Sequence, residues 1–220
     1  MVQAELIDKI VHEVVTVLKS QEKHCKDEGI KVGISARHVH LSQEDLEILF
    51  GEGYQLTKLK DLMGDEFAAQ ETVTLVGPSL RSIEKVRVLG PVRKQSQVEI
   101  SRTDTFVLKV SPPVRPSGQL SGSASIVIVG PKGAVYLKEG CIIANRHIHM
   151  TPEDAKKYNL KDNDYVDVEI ESEKPCRFYN VQVRVHEKFN TEMHIDTDDG
   201  NAAGITNGDR VKIIGKSKML

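Results

Sequence analysis

Two histidine pairs carry the clearest chemical signal in the chain. His38 and His40 lie in Arg37-His38-Val39-His40-Leu41-Ser42, and His147 and His149 lie in Arg146-His147-Ile148-His149-Met150-Thr151, 109 residues further on (38 to 147). The pattern Arg-His-aliphatic-His-aliphatic-hydroxyl-x-Glu-Asp therefore occurs twice, with Met150 in one aliphatic place. Duplication of a module explains that better than chance does. In extended chain, residues i and i+2 face the same side, so each pair can converge on one cation. A second alignment supplies a third ligand for each pair. Gln95-Ser96-Gln97-Val98-Glu99-Ile100-Ser101 parallels Asn190-Thr191-Glu192-Met193-His194-Ile195-Asp196, 95 residues apart (99 to 194), and this places Glu99 and His194 in equivalent positions. Both are flanked by apolar residues that a strand would turn into a core, leaving Glu99 and His194 on the opposite face.

Three His or Glu ligands without cysteine suit a catalytic zinc with an open fourth position, rather than a structural zinc. Histidine and carboxylate also accept other first-row metals. Two histidines and a glutamate leave a bound dication singly positive, whereas three neutral histidines leave it doubly positive. The second site is thus expected to attract phosphate or thiolate more strongly and to polarise a carbonyl more. His12, His24 and His186 have no such company and read as solvated or linker residues. Ser42 and Thr151 are good N-caps, Pro152 suits a first helical position, and acids favour a first turn. Glu44, Asp45, Glu153 and Asp154 are accordingly assigned to helix starts, not to metal. Upstream of Glu99, Leu89-Gly90-Pro91-Val92-Arg93 is expected to hold Arg93 on a rigid turn, where a guanidinium can bind phosphate in bidentate fashion. The second module, with Glu187 and Lys188 nearby, offers no evident counterpart.

The elements that must position these residues are short. Segments of alternating or apolar character, among them Ile30–Ile34, Glu71–Val76, Lys85–Leu89, Gln97–Ser101, Thr105–Val110, Ser125–Val129, Cys141–Ala144, Tyr165–Ile170, Val181–Val185, Met193–Asp196 and Arg210–Ile214, are punctuated by Gly, Pro, Asn and Asp. They predict a mainly β chain of barrel type. Ser111–Gly122 is too rich in Pro, Gly and Ser for regular structure. Residues 5–19 show the three- and four-residue apolar spacing of an amphipathic helix, followed by a polar linker at 20–28. That helix reads as packing on its own body or a second subunit, with a docking peptide as the alternative.

Composition closes off several classes of function. The 220 residues hold 30 Lys+Arg against 32 Asp+Glu, a net charge of -2, so the basic excess of nucleic-acid binders is missing. No apolar run reaches the length of a membrane-spanning helix. Three cysteines, Cys25, Cys141 and Cys176, form no CxxC pair and point to a reducing compartment. There is no Walker A loop, dinucleotide fingerprint or nucleophile elbow.

Six stretches together resemble one family: ISARHVHLS at 34–42, ETVTLVGP at 71–78, VRVLGPVRKQSQVEISRTD at 86–104, PVRPSG at 113–118, NRHIHM at 145–150 and EMHIDTDDGNAAG at 192–204. In order and in spacing they are similar to the PduL-type phosphate propanoyltransferases (phosphotransacylases), and they run through almost the whole chain beyond the N-terminal helix. One departure is Gly200, where the family form has alanine. The resemblance implies reversible transfer of a short acyl group, propanoyl or acetyl, between coenzyme A and phosphate. It implies two tandem β-barrels capped by short helices, with two zinc ions in the cleft between them. The first barrel would comprise 30–36 plus 145–220, the second 37–144, with 1–25 as the N-terminal helix and linker. The first zinc would be held by His38, His40 and Glu99, and the second by His147, His149 and His194. Arg93 would be catalytic and phosphate-binding, with Ser117 a further phosphate ligand. The resemblance also implies cytoplasmic placement, in some members inside a bacterial microcompartment whose shell or cargo proteins dock the N-terminal helix, and a homo-oligomer. From the residues alone two other classes stay open: a zinc hydrolase using the same ligands without phosphate, and a non-catalytic metal-binding or docking module.

Overall fold

The computed structural model describes residues 29–218. The amphipathic helix expected at 5–19 and its linker lie outside the described residues. Within them, fourteen strands and four short helices are numbered here in chain order. Strands β1 (Ile30–Ser35), β10 (His147–Met150), β11 (Tyr165–Ile170), β12 (Cys176–Val185), β13 (Glu192–Asp196) and β14 (Arg210–Lys216) close a barrel in the order β1-β13-β10-β12-β11-β14. Strands β2 (His38–Ser42), β4 (Phe67–Val76), β5 (Ser82–Arg93), β6 (Gln97–Glu99), β8 (Ala124–Val129) and β9 (Ala134–Ala144) form the other. Its ring closes because β8 pairs with both β4 and β9. Two short strands lie outside that ring, β3 (Lys58–Asp61) on β4 and β7 (Val114–Arg115) on β9. The expected mainly β, two-barrel architecture is therefore what the chain adopts, and closure leaves no free edge on either ring.

Each barrel is filled by its own apolar set. Val32, Ile148, Met150, Val166, Val183 and Met193 belong to one core, and Val39, Leu41, Leu75, Val88, Val98 and Cys141 to the other. A fully buried side chain of this kind contributes roughly 1.5–3 kcal/mol. On the ligand strands the intervening residues Val39, Val98, Ile148 and Met193 are all completely buried, so alternation turns the neighbouring polar residues away from the core.

The chain crosses between barrels through Ala36-Arg37 and again through Asn145-Arg146, each time just before a His-x-His strand. Both crossings are clamped in the same way. Arg37 pairs with Asp104 at 2.7 Å, and Arg146 binds both carboxylate oxygens of Asp199 at 2.7 and 2.8 Å while stacking on Phe178.

A helix starts directly after each ligand strand. Ser42 caps α1 (Gln43–Phe50), Ser101 caps α2 (Arg102–Leu108), Thr151 caps α3 (Pro152–Lys157) and Asp196 caps α4 (Thr197–Ala203). An N-cap of this type is worth about 1 kcal/mol. The assignment of Asp45 and Asp154 to helix starts matches the structure and gains a reason. Ser96 donates to Asp45 and Thr191 to Asp154, which ties each helix back to the neighbouring loop. The strand expected at Thr105–Val110 is instead α2. The capping box of Ser101 and Asp104 nucleates the helix, and Lys109 in the left-handed region (φ 57°) ends it.

Candidate functional site

Strand pairing brings the third candidate ligand opposite the first. β2 runs antiparallel to β6 with His38 facing Glu99, and β10 runs antiparallel to β13 with His147 facing His194. In each triad, ligand atoms from all three side chains lie within 4.8 Å of one another. The two triads are neighbours, because His38, Glu99, His147 and His194 all line one small void of about 30 Å³. Beyond it opens a cleft of about 640 Å³ onto which all six residues face.

Hydrogen bonds and burial prepare several of these histidines to donate a ring-nitrogen lone pair. His38 Nδ1 hydrogen-bonds the Ala36 carbonyl at 2.9 Å and His147 Nδ1 the Asn145 carbonyl at 2.8 Å, which leaves each Nε2 lone pair for the site. Burial pushes His40 and His149 down to about 2 and His147 to about 4, so these rings are neutral imidazoles, each with one N–H, at neutral pH. His149 is sandwiched in place, stacked on Phe189 at 4.1 Å with its Nδ1 on the Met63 sulfur at 2.8 Å. Two buried ring nitrogens, His40 Nδ1 and His149 Nε2, have no hydrogen-bond partner among the described residues. Leaving such an atom unsatisfied costs about 1–3 kcal/mol. One bound cation per triad would remove both penalties, so the donor sets fit a metal on the geometry alone.

The carboxylate of the first triad is held by its own strand. Gln97 Nε2 donates to Glu99 at 2.5 Å and to Ser117 Oγ at 2.9 Å, and Gln97 Oε1 accepts the Gly118 amide at 2.8 Å. The second module carries Glu192 where the first has Gln97: His149 faces Glu192 as His40 faces Gln97. Glu192 sits 3.3 Å from His194 Nε2, and that hydrogen bond holds its carboxyl below the usual range. A full negative charge therefore lies beside the three histidines, and the second site is not the more positive one that its ligands alone predict. Close packing accompanies this. Gly33 lies opposite His194 in register, and a Cβ there would press on His194 and Glu192 at 3.3 Å.

Arg93 is the last residue of β5, not part of a separate turn as the Gly-Pro dipeptide suggests. Its guanidinium reaches Glu66 at 2.7 Å and Ser117 Oγ at 3.2 Å, so Arg93 and Ser117 are brought together at the cleft. Lys188, 95 residues on, reaches the adjacent acid Asp65 at 2.6 Å. Lys188, which lies nearby in the sequence without being an evident counterpart of Arg93, is thus a basic residue in the equivalent place, paired with the neighbour of the acid that Arg93 binds. Glu66, Gln97, Arg184 and Glu192 also face this region or support it. The repeat itself could have flagged Gln97 and Glu192, because they occupy equivalent places; no local signal marks Glu66.

Chemically, the cleft offers two triads side by side that could each hold a cation, guanidinium and hydroxyl groups suited to a phosphoryl group, and the apolar side chains of Leu62, Met63 and Leu89. Cysteine chemistry is remote from it. Cys141 is fully buried in a core, where burial pushes its thiol up to about 12. Among the described residues no helix is long and apolar enough to cross a membrane.

Residues 31–206 match the family model for phosphate propanoyltransferase. A phosphate propanoyltransferase of Lachnoclostridium phytofermentans is 55% identical over 212 residues, which are 96% of this chain and 98% of that protein. One from Thermotoga maritima is 54% identical over 211 residues, 95% of this chain and 99% of the relative. One from Priestia megaterium is 51% identical over 206 residues, 93% and 94% of the two chains.

Proposed function

We propose a metal-assisted acyl transfer from one premise: the chain belongs to the phosphate propanoyltransferase family. The reaction is acyl-CoA plus phosphate giving acyl phosphate plus CoA. A phosphate oxygen bonds to the thioester carbon, the C–S bond breaks, and the sulfur leaves as the CoA thiolate, which takes up a proton. The observation that carries the metal-assisted reading is the pair of orphaned ring nitrogens, one in each of two adjacent triads.

His38, His40 and Glu99 would hold one zinc, and His147, His149 and His194 the other. Bound there, zinc supplies a Lewis acid for charge developing on the carbonyl oxygen and on the departing sulfur. The chain's own part is orientation. Arg93 and Ser117 bind and aim the phosphate, which must exchange with or sit beside Glu66 on the same guanidinium. Leu62, Met63 and Leu89 give the cleft an apolar side suited to a short acyl chain, and keep water from the acyl phosphate. No covalent acyl-enzyme is invoked, since no cysteine among the described residues lines the cleft. The helix-like pattern at 5–19 supports a further proposal, docking to microcompartment shell or cargo proteins, to be tested by co-sedimentation with and without residues 1–25.

The decisive experiment follows CoA release from acetyl-, propanoyl- and butanoyl-CoA with and without phosphate. Release that requires phosphate and disappears on chelation is expected. Release without phosphate would make the protein a hydrolase, and no release by a metal-loaded sample would make it a binding module.

A further inference from the structure

We propose that Arg184 is a second phosphoryl-binding residue, which clamps phosphate from the barrel opposite Arg93; this rests on the acyl-transfer reading. Next to the main cleft lies a second cavity of about 330 Å³. Six residues line both: Met63, Glu66, Arg93, Ser117, His149 and Arg184. The two guanidiniums therefore face the same passage from different barrels, Arg93 from β5 and Arg184 from β12.

Their states differ. Arg93 is occupied, with Glu66 neutralising it and Ser117 sharing its fork. The Arg184 side chain is half-buried and has no ion-pair or hydrogen-bond partner among the described residues. It lies opposite His149 in register, beside the second triad. A cation in that triad and a guanidinium beside it repel each other unless an anion lies between them. A phosphate dianion between Arg93 and Arg184 resolves that repulsion and uses the fork geometry that guanidinium offers to phosphate oxygens.

The internal repeat makes the placement specific. His149 faces Arg184 across the parallel β10–β12 pair as His40 faces Leu89 across the parallel β2–β5 pair. The same position in the duplicated frame is thus apolar beside the first triad and cationic beside the second. This orients the substrate, with the acyl group toward Leu89 and the transferring phosphoryl group toward Arg184.

The test uses the full-length, metal-loaded protein and radiolabelled inorganic phosphate in equilibrium dialysis, with metal content measured on the same samples. Arg184→Gln is expected to weaken phosphate binding at least tenfold, keep both metals, and raise the KM for phosphate while the KM for acyl-CoA stays within twofold. Arg184→Lys is expected to fall between the two. A phosphate affinity within twofold of wild type, loss of metal, a rise confined to the acyl-CoA KM, or no phosphate binding by wild type would overturn the assignment. If Arg184→Gln does not fold, Arg184→Lys is read alone, and wild-type affinity in it overturns the bidentate contact. Phosphate binding without phosphate-dependent CoA release in wild type would sink the acyl-transfer reading while still deciding Arg184.

Discussion

Gln97→Leu separates support of the first triad from its ligands. The leucine nearly matches the volume of a glutamine that is almost fully buried, so packing survives and only polar contacts are lost. Three hydrogen bonds disappear: to Glu99, to Ser117 and from the Gly118 amide. Two neutral bonds at about 1 kcal/mol each and one to a carboxylate at about 1.5–3 kcal/mol set an upper value near 4–5 kcal/mol. The added apolar burial offsets part of that, leaving a loss of about 3 kcal/mol. For a chain of this length it lowers Tm by roughly 6–12 °C. Loss of a partner that orients a metal ligand typically weakens metal binding about 10–100-fold. The effect should fall on one of two sites, because the second triad has no contact with Gln97. Thermal unfolding reads the first number. A competitive chelator titration reads the second and should resolve one weakened and one unchanged metal. Wild-type affinity at both sites together with an unchanged Tm would refute the view that Gln97 holds Glu99 for a cation.

Arg93→Ala should retain both metals by elemental analysis yet lose most phosphate-dependent turnover; wild-type turnover at low phosphate would show that Arg93 is not the phosphate ligand. The metal-free protein should lose stability as pH falls from about 7 toward 5. Burial lowers His40, His147 and His149 in the folded state, so the unfolded chain binds more protons below its own histidine pKa of about 6.5 and draws the equilibrium toward itself. A Tm of the chelated protein that stays flat across that range would contradict the burial of those rings. Cys141, with its thiol pushed up to about 12, should remain a neutral thiol at pH 7–9 and escape iodoacetamide until denaturant is added, as read by mass spectrometry of its peptide. Rapid native alkylation at Cys141 would place it outside the core.

The residues legible in the sequence are those whose signal was written twice. His38, His40, Glu99, His147, His149 and His194 emerge from two aligned segments, and both triads assemble from paired strands. The helix starts at Ser42 and Thr151 are equally legible, because a cap is a local event within four residues. What stayed hidden is long-range or competes with a local pattern. Phe106, Val107 and Leu108 read as strand by composition, yet the capping box of Ser101 and Asp104 just upstream decides for helix. Nothing local says that β1 joins a ring with β13 and β14, since its partners lie far along the chain, Glu192 opposite Lys31 and Val211 opposite Ile30, and only the family resemblance carries that expectation. Glu66 comes from a hairpin with no motif, and its role exists only because β5 carries Arg93 to it.

The duplicated frame separates scaffold from chemistry. Apart from the His38/His40 and His147/His149 pairs, positions that repeat in kind do structural work: Arg37 and Arg146 on Asp104 and Asp199, Ser42 and Thr151 as caps, Ser96 and Thr191 on Asp45 and Asp154. Positions that diverge cluster at the cleft or support what faces it: Glu99 against His194, Gln97 against Glu192, Leu89 against Arg184. The first two divergences nearly cancel in charge. The first triad contains its carboxylate and the second keeps one alongside, so two bound dications would be similarly screened. The third does not cancel. Arg184 leaves the passage more positive on the side of the barrel that carries the His147, His149 and His194 triad, and that asymmetry gives a cleft built from two like halves a direction in which to bind an unsymmetrical substrate.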